Sequence, residues 1–298
     1  MENAGLYLLT SLIWGSTWLA IKYQLGVVAP EVSIVYRFAL AAAILGVYVW
    51  LRRLPMRFSL REHGFIALQG AFLFSINYVL VYLSEQTLAS GLVAVIFSTI
   101  ILMNVLLGAL LLGDPIRPQV LVGGVVGLAG LTLVFWPELA GLRLSGIGSL
   151  GLGLSLVGAV SASVGNIVSA RNQRHGLPVV QTNALGMAYG ALFTLGFALL
   201  RDAPLQFDPS PGYVISLFYL AIFGSVIAFG GYLTLLGRIG PDRSGYIAIV
   251  FPVVALTLST LFEGLHWSLL SILGVLLVVV GNGLALSRRR QRAEAAAQ

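Results

Sequence analysis

The chain has 298 residues, of which 58% are hydrophobic and only 9% charged, with a net charge of +6 and a mean hydropathy of +0.95. A soluble body of this size carries roughly 25% charged residues to keep its surface hydrated, so the composition excludes a water-soluble fold and makes lipid the main solvent. The basic balance does not point to nucleic acid, because the arginines sit in short clusters between apolar runs and at the C-terminus, facing anionic headgroups. Cysteine is absent, which rules out disulfides and thiolate metal sites. Glu2 stands where a cleavable signal would carry basic residues, and the apolar run that follows is long enough to remain as a span.

A helix crosses the hydrocarbon core with about 20 apolar residues, and ten such runs follow one another. The first, 5–23, places Trp14 and Trp18 four residues apart and so on one face, joined by Ser11. The second, 33–51, follows Pro30 and holds Arg37 about one turn inside, where it is expected to snorkel to the interface or pair with Glu31. The third, 64–84, puts Ser75, Tyr78 and Tyr82 on one face with Asn77 beside them. The fourth, 90–112, ends on Gly113-Asp114-Pro115, and the fifth is 118–136. The sixth, 147–169, carries Ser163 and Asn166, the seventh is 179–200, and the eighth, 213–236, carries Ser225 and Tyr232. The ninth, 244–262, opens on Ser244 and Tyr246, and the tenth, 268–286, leads into a basic tail. Proline, which lacks a donor and breaks helices, marks most of the junctions.

The connections are short, so the spans themselves hold the function. Thirteen basic residues fall on the side shared by both termini, three on the other, and Arg37 lies within a span. Excess positive charge marks the cytoplasmic side, which places both termini there. Glycines at four-residue spacing, Gly123 with Gly127 and Gly186 with Gly190, let helix backbones approach closely. The halves also echo each other: Gly123 and Gly130 match Gly274 and Gly281, and Pro30 matches Pro178. Five spans per half is odd, so a second copy enters the membrane upside down. The expected fold is therefore an all-α bundle of ten transmembrane helices in two inverted repeats, 1–141 and 142–298.

Several chemistries are absent. Lys22 is the only lysine and follows Leu-Ala-Ile, so no phosphate-cradling loop exists. The three histidines fall at span edges, and neither a metal site nor any other cofactor is expected. All eleven carboxylates lie outside or at the ends of spans, leaving no evident proton relay in mid-membrane. An enzyme is not expected.

The run Leu12-Ile13-Trp14-Gly15-Ser16-Thr17-Trp18, Pro30 with Arg37-Phe38, Phe251-Pro252, Glu263 and the glycine-spaced tenth span resemble the drug/metabolite transporter superfamily, more narrowly its EamA-type exporters, and among these the aromatic amino-acid exporters. Span four departs from the pattern, with Phe97-Ser98 lacking proline and Asp114 in place of glutamate. The resemblance implies a central cavity lined by spans one, three, four, six, eight and nine. The residues expected to meet substrate are Trp14, Trp18, Asn77, Tyr78, Tyr82, Ser163, Asn166, Ser244 and Tyr246, although the four largest aromatics read equally as packed core. The expected activity is export of small metabolites, aromatic and other apolar amino acids first, with another small organic solute (drug-like or a nucleotide-sugar) as the alternative and a lipid-modifying enzyme as the rival. A bulky polyanion is disfavoured, because the spans lack a set of inward cations. The expected partners are the small-molecule substrate and the lipid bilayer, with no nucleic acid, and the protein is expected as a monomer or weak homodimer in the inner membrane. A reporter fused after Gln298 should read as cytoplasmic and one inserted near Ser210 as external; the same side for both would refute the ten-span parsing.

Overall fold

The computed structural model describes residues 2–88, 93, 96–134, 136, 140, 147–251, 253–254 and 268–286. Among these the chain forms helices joined by turns, with no strand. Helices satisfy every interior backbone group within one segment, which is what hydrocarbon demands. The helices are α1 (Glu2–Lys22), α2 (Pro30–Leu51), α3 (Leu60–Glu85), α4 (Ile100–Leu112), α5 (Pro118–Val134), α6 (Ile147–Arg174) and α7 (Val179–Leu200). They continue with α8 (Pro211–Ile239), the short α9 (Pro241–Ser244) and α10 (Leu269–Leu286). Five of these, in α2, α3, α6, α7 and α8, are long and apolar enough to cross a membrane, and α4, α5 and α10 are shorter apolar helices. Within the ninth predicted span Pro252 and residues 255–262 lie outside the described residues, as do Glu263 and the basic tail.

The ends of these helices follow from local chemistry. Pro30 and Pro211 occupy first-turn positions, where a missing N–H costs nothing. Ser59 opens α3 with a capping box, its hydroxyl accepting from the Glu62 N–H at 3.3 Å while Glu62 accepts from the Ser59 N–H at 2.6 Å. Gly113 ends α4 at φ 70°, a left-handed conformation that glycine adopts without strain.

Ion pairs show which ends lie together. Arg238 meets Glu2 at 3.1 Å, Arg174 meets Asp114 at 2.6 Å and Arg117 meets Asp242 at 3.1 Å. These contacts gather the start of α1 and the ends of α4, α6 and α8 into one arginine-rich end. Arg201 meets Glu31 at 3.6 Å, joining the end of α7 to the start of α2 at the other.

Helix pairing is dominated by α5 with α10 and α2 with α7. A Cβ added to Gly130 would lie 2.6 Å from the Gly274 carbonyl oxygen, and one on Gly274 would lie 2.5 Å from that of Gly130. Gly123 and Gly281 block each other in the same way, at 2.6 Å in both directions. The backbones are therefore in direct contact, with no room for a side chain. Further pairings join α3 to α6 and α1 to α8.

Among the described residues, four places within the predicted spans depart from regular α-helix. The segments Gly70–Ile76 within α3 and Leu220–Ile227 within α8 are π-helical. The fourth and ninth predicted spans are each interrupted by a turn, at 98–99 and 245–246. The fourth span is thus not one continuous helix over 90–112. At its break, Ser98 donates to the Ala248 carbonyl at 2.6 Å and Thr99 donates to Ile96 at 2.7 Å. Hydroxyls that bond the backbone in this way compete with the helical ladder.

The glycine contacts give a stability test. Gly274→Val forces α5 and α10 apart and is expected to cost about 1–3 kcal/mol, the usual penalty of overpacking. Gly283, on the same helix, has nothing within 4 Å of an added Cβ, so Gly283→Ala should be neutral or stabilise by about 0.5–1 kcal/mol. Thermal melting of the two purified variants checks both; equal melting points would refute the close contact.

Candidate functional site

The helices enclose a cavity of about 110 Å³. Its wall is largely apolar and rich in aromatic rings, with further rings packed behind it. Trp14 packs on Phe229 and on Tyr232, each at 5.0 Å between ring centroids. Phe74 reaches Phe229 at 4.9 Å, and Phe38 reaches Tyr78 at 4.7 Å. Most of these are tilted or edge-to-face contacts, the arrangements favoured by ring quadrupoles. Phe97 and Phe251, from the two interrupted spans, complete the wall.

The π-helical segment of α8 holds part of this wall in place. Its wider turn sends the Ala228 N–H to the Phe223 carbonyl, so the Gly224 carbonyl accepts the Trp14 indole N–H at 3.1 Å instead. Ser225, in the same segment, donates to the Leu220 carbonyl at 3.0 Å. It also accepts from Arg37 Nε at 2.9 Å. A Cβ on Gly224 would lie 3.1 Å from Arg37 Nη2, so glycine there lets the guanidinium approach. Segments of π-helix recur at functional sites because they free backbone groups in this manner.

Arg37 corrects the sequence reading. It is 2% exposed and therefore does not snorkel, and Glu31 pairs with Arg201 instead. The reason is helical geometry: six residues place Glu31 and Arg37 on different faces, since neighbours lie three or four apart. The Arg37 side chain joins the cavity wall, with its guanidinium carbon 4.9 Å from the Tyr78 ring centroid and 5.4 Å from that of Phe38.

Towards the arginine-rich end, a polar layer closes the cavity. Asn166 donates to Asn104 at 3.3 Å, and Asn104 donates to the Pro241 carbonyl at 3.1 Å. The Tyr232 hydroxyl interacts with Ser244 and Asn104. The Asp114–Arg174 and Arg117–Asp242 pairs line a second pocket beyond this layer.

Of the residues expected at the site, Trp14, Asn77, Tyr78, Tyr82 and Asn166 lie on the cavity wall. Trp18 lies within α1, but its side chain is outside the described residues. Ser163 is fully buried away from the lining, because Ala162, four residues before Asn166, takes that face. Ser244 belongs to the polar layer, donating to the Pro241 carbonyl at 3.5 Å. Tyr246 does not reach the cavity. It donates to the Val120 carbonyl and its hydroxyl lies against Gly123 and Gly124 of α5, because the turn at 245–246 presents Gly245 and Ala248 to the cavity instead. Sequence reasoning missed Arg37, Phe97, Phe229 and Phe251 as lining. The Phe-rich positions carried no signal beyond hydrophobicity, but an arginine inside a span with no acid in register could have been found.

The profile of the EamA-like transporter family matches residues 4–136 and again 149–287. The chain belongs to the EamA-like transporter family. Among its relatives is the uncharacterized inner membrane transporter YedA of Escherichia coli K12, 30% identical over 92% of this chain and 89% of that protein. A probable amino-acid metabolite efflux pump of the same organism is 26% identical, over 94% and 93%. Protein PagO of Salmonella typhimurium is 24% identical, over 95% and 92%. A solved crystal structure superposes with a TM-score of 0.79 at 20% identity, covering 95% of this chain and 96% of that one, so the fold is shared. This EamA-like chain is a multi-pass inner-membrane transporter protein.

The two kinds of tyrosine give opposite expectations. Tyr78→Ala removes a cavity ring and should reduce flux of aromatic solutes about tenfold, equivalent to ~1.4 kcal/mol. Tyr246→Phe removes a hydrogen bond worth about 1 kcal/mol outside the cavity, and should lower the melting temperature without altering which solutes move. Transport and melting measured on the same preparations separate them, and unchanged flux in stable Tyr78→Ala would remove that residue from the site.

Proposed function

We propose that this protein is a secondary transporter that exports small amphipathic metabolites, aromatic and other apolar amino acids foremost, through the aromatic cavity. The single observation that carries this reading is a largely apolar pocket between the helices, walled by Trp14, Tyr78, Phe97 and Phe229. Cavities of drug-sized ligands measure about 300–1,000 Å³. A space of about 110 Å³ is on the scale of a smaller solute, which disfavours nucleotide-sugars. The name of the E. coli efflux pump supports both the cargo class and the outward direction.

Ten spans arranged as two inverted five-helix repeats, 1–141 and 142–298, best account for the double family match. The reciprocal glycine contacts fit the same arrangement: with Gly123 equivalent to Gly274 and Gly130 to Gly281, the Gly123–Gly281 contact maps onto Gly274–Gly130. The π-helical segments beginning at Gly70 and Leu220, and the turns at 98–99 and 245–246, recur at nearly the same offset. In such transporters the site lies where the repeats meet and discontinuous helices supply its polar groups. The arginine-rich end is then cytoplasmic, and the polar layer of Asn104, Asn166 and Tyr232 is the inner gate, closed in this conformation.

No carboxylate or histidine stands among the described cavity-lining residues, so the reading is downhill facilitation or exchange rather than obligatory proton antiport. In proteoliposomes containing this protein alone, labelled phenylalanine or leucine should equilibrate across the membrane and exchange with unlabelled solute. An imposed pH gradient should not raise accumulation above equilibrium. Uphill accumulation driven by that gradient would overturn facilitation, and no flux of any apolar amino acid would overturn the cargo.

A further inference from the structure

We propose that Arg37 is the anchor for a carboxylate on the transported solute, so that the cargo class is monoanionic or zwitterionic carboxylates with an apolar or aromatic body. The inference rests on the reading of the cavity as a transport site and narrows it from any small amphipathic solute to one that must carry this group.

The observation behind it is an uncompensated charge. Arginine stays protonated under all protein conditions, so Arg37 cannot shed its charge when buried. It is 2% exposed. The ion pairs among the described residues join Arg117, Arg174, Arg201 and Arg238 to carboxylates, and Arg37 is in none of them. Its hydrogen-bonding partners are neutral: Ser225 on Nε at 2.9 Å, the Tyr78 hydroxyl on Nη2 at 3.5 Å, and the Tyr82 hydroxyl. Nη1 is buried with no hydrogen-bond partner among the described residues. Two aromatic faces lie beside the guanidinium, an attraction much weaker than an ion pair. Buried charges are normally paired, because desolvating one without a counter-charge is expensive.

The missing anion is best supplied by the cargo. Arg37 lines the cavity, and a guanidinium presents parallel N–H donors that match the two oxygens of a carboxylate. The same cavity offers aromatic rings to the rest of the molecule. One cation suits one negative charge; Arg37 is the only charged residue among the described lining, so a phosphate dianion would be left half neutralised. Tyr78 and Ser225 hold Arg37 in place without neutralising it, which keeps the site open to an anion that must also leave.

The same charge makes a second demand. An empty, closed carrier holds an unneutralised cation in a low-dielectric cavity, whereas a loaded one holds a pair. Conversion between the two faces of the membrane is therefore easier with cargo aboard, and exchange of solute for solute should outpace net flux.

The test compares phenylalanine with three relatives: 3-phenylpropionate, which keeps the carboxylate and lacks the amine, and phenethylamine and phenylalaninamide, which lack the carboxylate. In proteoliposomes of the full chain, 3-phenylpropionate should compete with labelled phenylalanine within a few-fold of phenylalanine itself, and the two amines at least tenfold more weakly. The same order should appear in ligand-induced shifts of melting temperature, which do not depend on flux. Arg37→Gln should abolish the discrimination in both measurements while its ligand-free melting temperature stays equal or rises, since a buried unpaired charge is removed. Arg37→Lys, which keeps the charge but not the fork, should fall between. Flux that is indifferent to the carboxylate, or discrimination that survives in Arg37→Gln, overturns the anchor and leaves transport standing. Carboxylate-dependent melting shifts without flux support the anchor and defeat the transport reading, and neither flux nor shifts defeats both. If Arg37→Gln does not fold, the comparison of the four ligands on the unmodified protein still decides.

Discussion

Helices in lipid gain nothing by hiding apolar surface from one another, because the surrounding tails are equally apolar. Cohesion must come from close approach and from the hydrogen bonds that close approach permits. In this protein that constraint is met by the carbonyl-to-glycine contacts of α5 with α10, where an added Cβ would sit 2.5–2.6 Å from a backbone oxygen at four positions. A similar contact lies between α3 and α7, where Gly190 packs against the Gly70 carbonyl. These pairings fix where helices cannot separate. Bulk is excluded from the contacts, so it collects elsewhere, and the largest rings meet around the cavity.

The cavity exists because helix geometry is broken around it. Regular helices spend every interior carbonyl on their own ladder, so a cavity walled by them would offer a solute only side chains. The π-helical segment of α8 frees the Gly224 carbonyl for Trp14 and positions Ser225 for Arg37. The turn at 98–99 lets Ser98 reach the Ala248 carbonyl across the gap, and this serine stands where the matching span carries proline. The departure from the family pattern in span four is thus bridged by a hydrogen bond. The π-helical segment of α8 thus gives up ladder bonds and returns polar groups at the site.

Much of this was legible in the amino-acid sequence. Composition and run length fix lipid as solvent, and the glycine spacing at Gly123 and Gly274 marked faces that turn out to be in contact. Five of the residues expected at the site, Trp14, Asn77, Tyr78, Tyr82 and Asn166, lie on the cavity wall, and the rule behind them is that large or polar groups in mid-span face inward. The rule failed where the helix is not regular. Tyr246 sits at a turn, so its direction cannot be projected from a 3.6-residue period, and it packs on Val120 instead. It failed for Ser163 because a single step in register moves a side chain by 100°, and Ala162 won that face. Arg37 was misassigned for a different reason. Its sequence neighbour Glu31 is near in number but not in angle, and its true partner, Ser225, is 188 residues away.

The two kinds of contact also divide the molecule mechanically. Backbone-to-backbone packing between α5 and α10 is dry and close, and separating it means losing many dispersion contacts at once. The arginine-rich end is held differently. There the Asp114–Arg174 pair has side chains 29% and 44% exposed, and the Arg117–Asp242 pair 35% and 15%, so solvent screens both, and exposed pairs contribute only about 0–1 kcal/mol each. The Asn104–Asn166 bond beneath them is a neutral amide contact at 3.3 Å, whose groups can exchange for water at little net cost. The contacts that are least costly to break therefore lie between α4, α6, α8 and α9, at the one end where a polar layer separates the cavity from solvent. The proposed inner gate is thus built from exchangeable polar contacts and mounted on a frame built from unexchangeable ones.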